Sequence, residues 1–419
     1  HGYSTYHSGK WHIVRKVPQH SQLSHSEVGF DRSYHTEDGR HLRPHHLWED
    51  GVEIPVPEEG SYEASIAIVD HAIKYLEEHQ AERADEPFFE YIAFIAPHFP
   101  LQALQEDIDQ YRDKFLMGWD VIREKRAENR KELGFDEHEI NPLEPERFAP
   151  WNLSPEELVT QIDPHESGRA IPWSELTEDQ QELQATKMAI HAAMVSRMDR
   201  EIGRYLEALK RLGYFENTII FFCSDNGAST EIMNRADKHT MGAPAGSADT
   251  YFCLGPGWSS AANTPFRLHK TWVHEGGIAT PMVVHWPLGM EEQNAFRNMP
   301  SHIIDIAPTM LELAGIDPAV LNARAEAPGI SLVPFLSEDL DAERDPLFFH
   351  HENKKALRHG KWKITTIEQG GKWELYDLSV DRGETHNLAE EHPEKLQELV
   401  QLWEDQRNSI IQQISEPIP

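Results

Sequence analysis

The segment TIIFFCSDNG (218–227) constrains this chain more than any other. Ile219 to Cys223 are consecutive apolar residues rich in branched and aromatic side chains. That pattern predicts a strand buried on both faces. The run stops at Ser224-Asp225-Asn226-Gly227. Asp225 and Asn226 therefore fall where a parallel strand ends and its loop begins, the place where open α/β sheets bind ligands. Two adjacent hard oxygen donors suit Ca²⁺ or Mg²⁺, and Gly227 lets the chain turn without a Cβ clash. Asp, Asn and Gly are also ordinary turn residues, so the rest of the chain must decide between a turn and a site.

A second apolar run ends the same way. FFEYIAFIA (88–96) predicts a strongly buried strand, and it stops at Pro97-His98-Phe99-Pro100, which sets His98 in a restricted loop. Residues 61–80 precede it with Ile66, Val69, Ile73 and Leu76 on one helical face. Residues 182–212 precede the first run and predict a long helix that buries Met188, Ala192, Val195, Met198, Ile202, Leu206 and Leu209 and stops at Gly213. A helix followed by a strand, twice, with a polar residue at each strand end, is the rhythm of a doubly wound, mostly parallel sheet flanked by helices.

Other polar residues are candidates by their neighbours. Gly9-Lys10-Trp11-His12 places a cation and an imidazole two apart, on one side of an extended segment; an edge strand with polar residues facing water fits the same letters. Lys270 is followed shortly by Glu275-Gly276-Gly277 and a short strand, 282–286, which would bring a cation to the same edge of the sheet. A solvated surface lysine is the plainer reading. Residues 101–182 loosen: the charged stretch 106–133 reads as helical, the Pro- and Glu-rich stretch 141–173 as loop, and the whole as an insertion over one end of the sheet; residues 228–262 read as a long loop. After about residue 343 short strand-like pieces at 347–350, 361–366 and 373–377 precede an amphipathic helix, 393–407. They predict a small antiparallel sheet with one helix. The expected division is a large α/β domain, 1–342, and a small α+β subdomain, 343–419.

Charge narrows the partners. Acidic residues number 71 against 39 basic ones, for a net charge of −32, which argues against nucleic acid or an anionic membrane. An anionic substrate would need a locally basic site. No apolar run approaches the length of a membrane span. Cys223 and Cys253 form neither a metal-ligand spacing nor a disulfide framework, and a single bridge between them stays open. The chain opens on His1 and reads as a fragment or processed form, so periplasm, secretion and cytoplasm all stay open, as does the oligomeric state.

In order, GKWH (9–12), APHFP (96–100), SDNG (224–227) and HK followed by EGG (269–277), with the tail segments GKWKI (360–364) and WELYDLSVDRGETHNLA (373–389), resemble the sulfatase family of the alkaline-phosphatase superfamily. The wording is closest to bacterial arylsulfatases, and the resemblance covers nearly the whole chain. It implies an alkaline-phosphatase-like fold and hydrolysis of a small-molecule or carbohydrate sulfate monoester to an alcohol or phenol plus sulfate, with aryl sulfates the first expectation and sulfated sugars and steroids left open. By position it implies Asp225 and Asn226 as two ligands of Ca²⁺, with Mg²⁺ as the substitute. Lys10 would contact the sulfate and the nucleophile. His12 would hydrogen-bond the nucleophile and act as base when the covalent intermediate breaks down. His98 and Lys270 would bind the sulfate and help protonate the leaving oxygen.

The chain departs from the family in one respect. Sulfatases carry an upstream aspartate pair and a C/S-x-P-S/A-R motif whose Cys or Ser becomes formylglycine, and neither is found in these residues. The expectation is a sulfatase whose nucleophile lies outside this chain, so that the piece alone has little or no activity. A phosphodiesterase or phosphonate monoester hydrolase of the same superfamily is the nearest rival. Asn226 favours the one-metal, sulfatase-like type over the two-metal phosphatases, which usually have His there. A non-catalytic relic that binds an anion or metal is the rival of a different class.

Overall fold

A computed structural model describes residues 2–11, 29–36, 39–135, 138–235, 238–292, 294–323, 328–340, 343–368 and 370–415. The chain divides into two compact units. One comprises His1–Ile122, Leu143–Phe215 and Thr230–Ser259; the other comprises Arg123–Pro142, Glu216–Ser229 and Ser260–Pro419.

In the first unit the strands are β1 (Ser4–Lys10), β2 (Arg32–Thr36), β3 (Leu47–Glu49), β4 (Val52–Ile54) and β5 (Phe88–Ala93), in the order β4-β3-β2-β1-β5. β1 runs parallel to both β2 and β5, while β2, β3 and β4 pair antiparallel. The edge-strand reading of the first residues is thus corrected: β1 is an interior strand. Its polar residues are tolerated there because a helix supplies partners. Ser8 Oγ donates to Ile68 O at 2.6 Å, and the Tyr6 hydroxyl meets His79 Nδ1 at 2.9 Å. Gly9 is required in this strand, since a Cβ there would stand 2.0 Å from Ala93 O.

That helix, α1 (Ala64–Arg83), is capped by the Glu63 carboxylate, which accepts from Ile66 N at 2.8 Å. Its buried stripe is Ser65, Ile68, Val69, Ala72, Tyr75, Leu76 and His79; Ile66 and Ile73 are only half-buried. The second long helix, α2 (Glu178–Leu212), starts at a Thr177/Gln180 capping box and ends at Gly213. Of the seven residues expected on its buried face only Leu209 is fully buried, and Val195 is 38% exposed. The real face carries Ala185, Ala189, Ile190, Ala193 and Met194, together with buried Lys187 and Glu201. Small alanines let a helix pack closely, and a buried lysine is tolerated when paired. Lys187 Nζ lies 2.9 Å from both oxygens of Glu166, with both side chains fully buried. Hydropathy patterning registers neither effect.

β5 is less buried than its letters imply, with Tyr91 49% exposed. Its single carboxylate is nonetheless withdrawn from water. Glu90 Oε2 accepts from the Tyr205 hydroxyl of α2 at 2.6 Å, and burial pushes the Glu90 carboxyl up to about 8. Between the ordinary value of 4.5 and about 8 the folded chain holds one proton more than the unfolded chain, so stability falls as pH rises through that window. Glu90→Gln is therefore expected to raise the melting temperature at pH 8 and to leave it nearly unchanged at pH 4. Equal shifts at both pH values would exclude a protonated Glu90.

The insertion 101–182 is helical in part of the expected 106–133 stretch and again within 141–173, where a loop was expected. It holds the helices Gln105–Ile108, Gly118–Glu132 and Pro155–Gln161. Trp119 and Trp173 from it meet Trp258 edge-to-face with ring centroids 4.8–5.7 Å apart. In the expected 228–262 loop, Tyr251 to Leu254 are buried and the helix Pro256–Asn263 follows. Cys223 and Cys253 are both free thiols.

In the second unit β6 (Ile220–Cys223) pairs with β7 (Met282–His285), and the pairing is antiparallel. Phe222 and its partner Val283 are 39% and 57% exposed. The expectation of a parallel strand buried on both faces is corrected. A branched, apolar run specifies an extended chain that avoids water; it encodes neither the direction nor the number of its neighbours. The rest of this unit holds an antiparallel sheet of β8 (Leu347–His351), β9 (Lys354–His359), β10 (Trp362–Thr365) and β11 (Glu374–Asp377) in the order β11-β10-β9-β8. The helix α3 (Pro393–Ser415) covers it through Leu399 and Trp403, packed on Leu357, Ile364 and Leu375. β9 escapes the sequence reading because KKALRH hides a buried Ala356–Leu357 step among charges. The architecture is α/β with a helix-flanked sheet, plus the small antiparallel sheet and helix expected at the C-terminal end.

Candidate active site

In the first unit the structure brings two expected residues to one strand end. Lys10 is the last residue of β1, and Gly9 stands opposite Ala93 in the parallel ladder with β5. His98 lies in the turn that follows β5. Lys10 and the His98 turn thus share the carboxyl-terminal end of adjacent parallel strands. The turn is tightly held. His98 N donates to Ile95 O at 2.9 Å, and Leu101 N donates to Phe252 O at 2.8 Å. The imidazole donates from Nδ1 to Phe99 O at 2.5 Å, which fixes the proton of the neutral ring on Nδ1. The His98 carbonyl accepts from Nε2 of the buried His41 at 2.9 Å. His41 was not singled out by sequence; it sat in a His-rich stretch with no periodicity. His12 lies outside the described residues.

In the second unit the structure brings Asp225, Asn226 and Lys270 together. Lys270 N donates to Ala228 O at 3.0 Å, and Gly227 N donates to Gly277 O at 3.0 Å. Asn263 laces the same two loops: its Oδ1 accepts from Ala228 N at 2.9 Å, and its Nδ2 donates to Leu268 O at 2.9 Å. The crossing is so close that a Cβ on Gly227 would fall 1.8 Å from Gly276 O. His269, next to Lys270, is buried, and burial together with Arg123 pushes its imidazole down to about 3. It stays neutral at working pH and does not supply a cation.

The turn fits a hard cation with two oxygens. The Asn226 amide nitrogen is committed to Gly227 O at 2.9 Å, which leaves Oδ1 as the outward donor. Asp225 is exposed beside it. Among the described residues no group of three or more His, Cys, Asp or Glu could enclose a metal ion, so these two side chains are the whole of the donor set identified.

Around Glu275, five residues past Lys270 in the chain, stands a charged cluster that sequence reasoning missed. Lys363 Nζ of β10 lies 2.9 Å from Glu275 Oε1 and 2.8 Å from Glu384 Oε1, the latter off the hydrogen-bond axis, and Lys363 and Glu384 are fully buried. Glu384 Oε2 accepts from Glu275 N at 2.7 Å, and Arg382 reaches Glu275 Oε2 at 3.0 Å. Burial would raise the Glu275 carboxyl, but Lys363 and Arg382 hold it well below its ordinary value. The only sequence signal was two Glu-containing segments in the resemblance, more than a hundred residues apart.

The Sulfatase family model matches residues 1–316, and a model of the C-terminal region of N-sulphoglucosamine sulphohydrolase matches residues 266–413. An uncharacterised sulfatase of Schizosaccharomyces pombe is 30% identical over 442 residues, 96% of this chain and 74% of that protein. An arylsulfatase of Klebsiella aerogenes is 28% identical over 348 residues, 76% of this chain and 66% of its own length. A structure solved in complex with its substrate D-glucosamine-2-N,6-O-disulfate has a TM-score of 0.60 at 20% identity, covering 97% of this chain and 80% of that one. At that identity the likeness is one of fold. The first match alone spans most of the 419 residues, and by it the chain belongs to the sulfatase family.

Proposed function

We propose that this protein hydrolyses sulfate monoesters of arylsulfatase type, releasing an alcohol or phenol and inorganic sulfate. The observation that supports it most is the lacing of the Lys270 loop to the Asp225–Asn226 turn, which sets a cation and two oxygen donors in one loop cluster. The arylsulfatase name of the Klebsiella aerogenes relative supports an aryl ester, and the match to the C-terminal region of N-sulphoglucosamine sulphohydrolase supports a sulfated sugar as the other substrate class.

The proposed chemistry follows from the residue types. A sulfate ester is anionic, and breaking its S–O bond moves charge onto the leaving oxygen. Lys10 and Lys270 neutralise the sulfate oxygens by direct contact. A divalent cation held by Asp225 and Asn226, Ca²⁺ or Mg²⁺, would add positive charge beside those oxygens. His98 carries its first proton on Nδ1, so its second resides on Nε2, the atom from which it protonates the leaving oxygen. His12 serves as base. The attacking oxygen is that of a formylglycine hydrate; neither Cys223 nor Cys253 has the flanking Pro and Arg of the motif that forms it.

Hydrolysis by the full-length protein tests the proposal. A nitrophenyl sulfate is expected to turn over at least about 10²-fold faster than the corresponding phosphate ester, the scale of a site matched to one transition-state charge distribution. A preference for the phosphate or a phosphonate would give the site to the related hydrolases, and no turnover of any ester would favour a binding role. EDTA is expected to abolish turnover, and Ca²⁺ or Mg²⁺ to restore it. Turnover indifferent to chelation would remove the metal role from Asp225 and Asn226.

A further inference from the structure

Glu374 opens β11, and three donors converge on one of its oxygens. His274 Nε2 lies 2.9 Å from Oε2, the Tyr376 hydroxyl 3.0 Å and Arg267 Nη1 3.2 Å. Arg267 and His274 bracket Lys270 in the chain. The same two residues close that loop from within. Arg267 O accepts from Gly276 N at 2.8 Å, and His274 O accepts from Gly277 N at 2.9 Å. Gly277 O in turn accepts from Gly227 N at 3.0 Å. One carboxylate therefore holds both ends of the Lys270 loop and, through Gly277, the turn that carries Asp225 and Asn226.

The charge state suits a clamp. Burial would raise the Glu374 carboxyl, but the His274 hydrogen bond and charge, and then Arg267 and Tyr376, hold it below its ordinary value. An ionised carboxylate accepts all three donors at once, whereas a neutral amide or acid offers a weaker acceptor.

We propose that Glu374 is a positioning residue for Lys270 and for the Asp225–Asn226 turn, setting where the lysine ammonium stands relative to the two oxygen donors. The role in turnover rests on the sulfatase reading above; the role in holding the loop does not. A core ion pair with no such role would, when removed, loosen the β8–β11 sheet at large and act independently of Lys270.

Hydrogen exchange on the full-length protein separates the two. Glu374→Ala is expected to speed exchange of the Lys270 and Gly227 amides by about tenfold or more, while the β9 and β10 amides keep their protection. Glu374→Gln keeps the shape and one acceptor, so its effect should be intermediate, and it is the variant to read if the alanine form does not fold. Unchanged exchange at Lys270 and Gly227, an equal rise throughout β8–β11, or failure of both variants to fold overturns the proposal. Turnover of a nitrophenyl sulfate gives a second reading. Glu374→Ala should lower kcat in the wild-type background and by a smaller factor in Lys270→Ala, where only the effect through the Asp225–Asn226 turn remains; fully additive losses count against positioning. If the wild-type protein hydrolyses no sulfate ester, the sulfatase reading fails, and the exchange result still decides the role of Glu374.

Discussion

Lys270→Ala in the full-length protein is expected to lower kcat/KM for a sulfate ester by about 10²–10³-fold, the usual loss when one group stabilising transition-state charge is removed. The loop should survive the change, because Lys270 is fixed by its backbone amide to Ala228 O at 3.0 Å and not by its side chain alone. The unfolding midpoint should therefore hardly move. The loss should also grow as the leaving group becomes a poorer one, since the ammonium helps to stabilise charge on the departing oxygen. Lys270→Arg keeps the charge but presents a planar fork in place of a compact ammonium, so only partial recovery is expected. A rate for Lys270→Ala within a factor of two of wild type would remove Lys270 from the reaction and leave it a surface lysine.

The largest effect on stability is expected at Lys363. Lys363→Ala strands the Glu275 and Glu384 carboxylates without the ammonium that faces both, at positions almost closed to solvent. Breaking one side of such a buried group costs about 3–5 kcal/mol, to be read as the shift in urea unfolding followed by the fluorescence of buried Trp403. The pH dependence has a definite sign. Glu275 is held below its ordinary value of 4.5, down to about 2, so its contribution is present above about 4.5 and is lost as pH falls through that interval. In Lys363→Ala most of this acid-side loss should disappear, leaving a flatter profile between those values. Replacing Lys363, Glu275 and Glu384 together by apolar residues of similar volume should be far milder than the single change. A single variant as stable as wild type would mean that water or a rearranged Arg382 compensates the two carboxylates.

Much of the molecule was legible in the letters, and the failures share a cause. The helices α1 and α2, the strand-end placement of His98, and three of the four strands of the C-terminal sheet follow from local apolar period and turn chemistry. What pattern could not supply was pairing. β1 looked like an edge because its side chains are polar, yet Ser8 and Tyr6 find partners on α1. β6 looked central because its side chains are apolar, yet its ladder with β7 is antiparallel. The buried face of α2 was misplaced because Lys187 and Glu201 count as polar until Glu166 and the neighbouring arginines are known. The site divides in the same way. Asp225, Asn226 and Lys270 carry recognisable chemistry in their own sequence neighbourhoods. His41, Glu374 and Lys363 each depend on a contact 57 to 107 residues away in the chain, and no local rule selects them.

The crossing of the 227 and 276 loops has a consequence for how such proteins drift. A Cβ on Gly227 would fall 1.8 Å from Gly276 O across the crossing, and a Cβ on Gly276 would fall 2.1 Å from Leu268 O inside the Lys270 loop itself. A methyl group at Gly227 prises the two loops apart, and one at Gly276 opens the Lys270 loop from within; either moves the lysine relative to the oxygen donors. Descendants of this chain can exchange their ionisable groups one at a time and remain testable by selection at every step. They cannot acquire an alanine at this junction without rebuilding both loops at once, so the two featureless glycines are the slower clock.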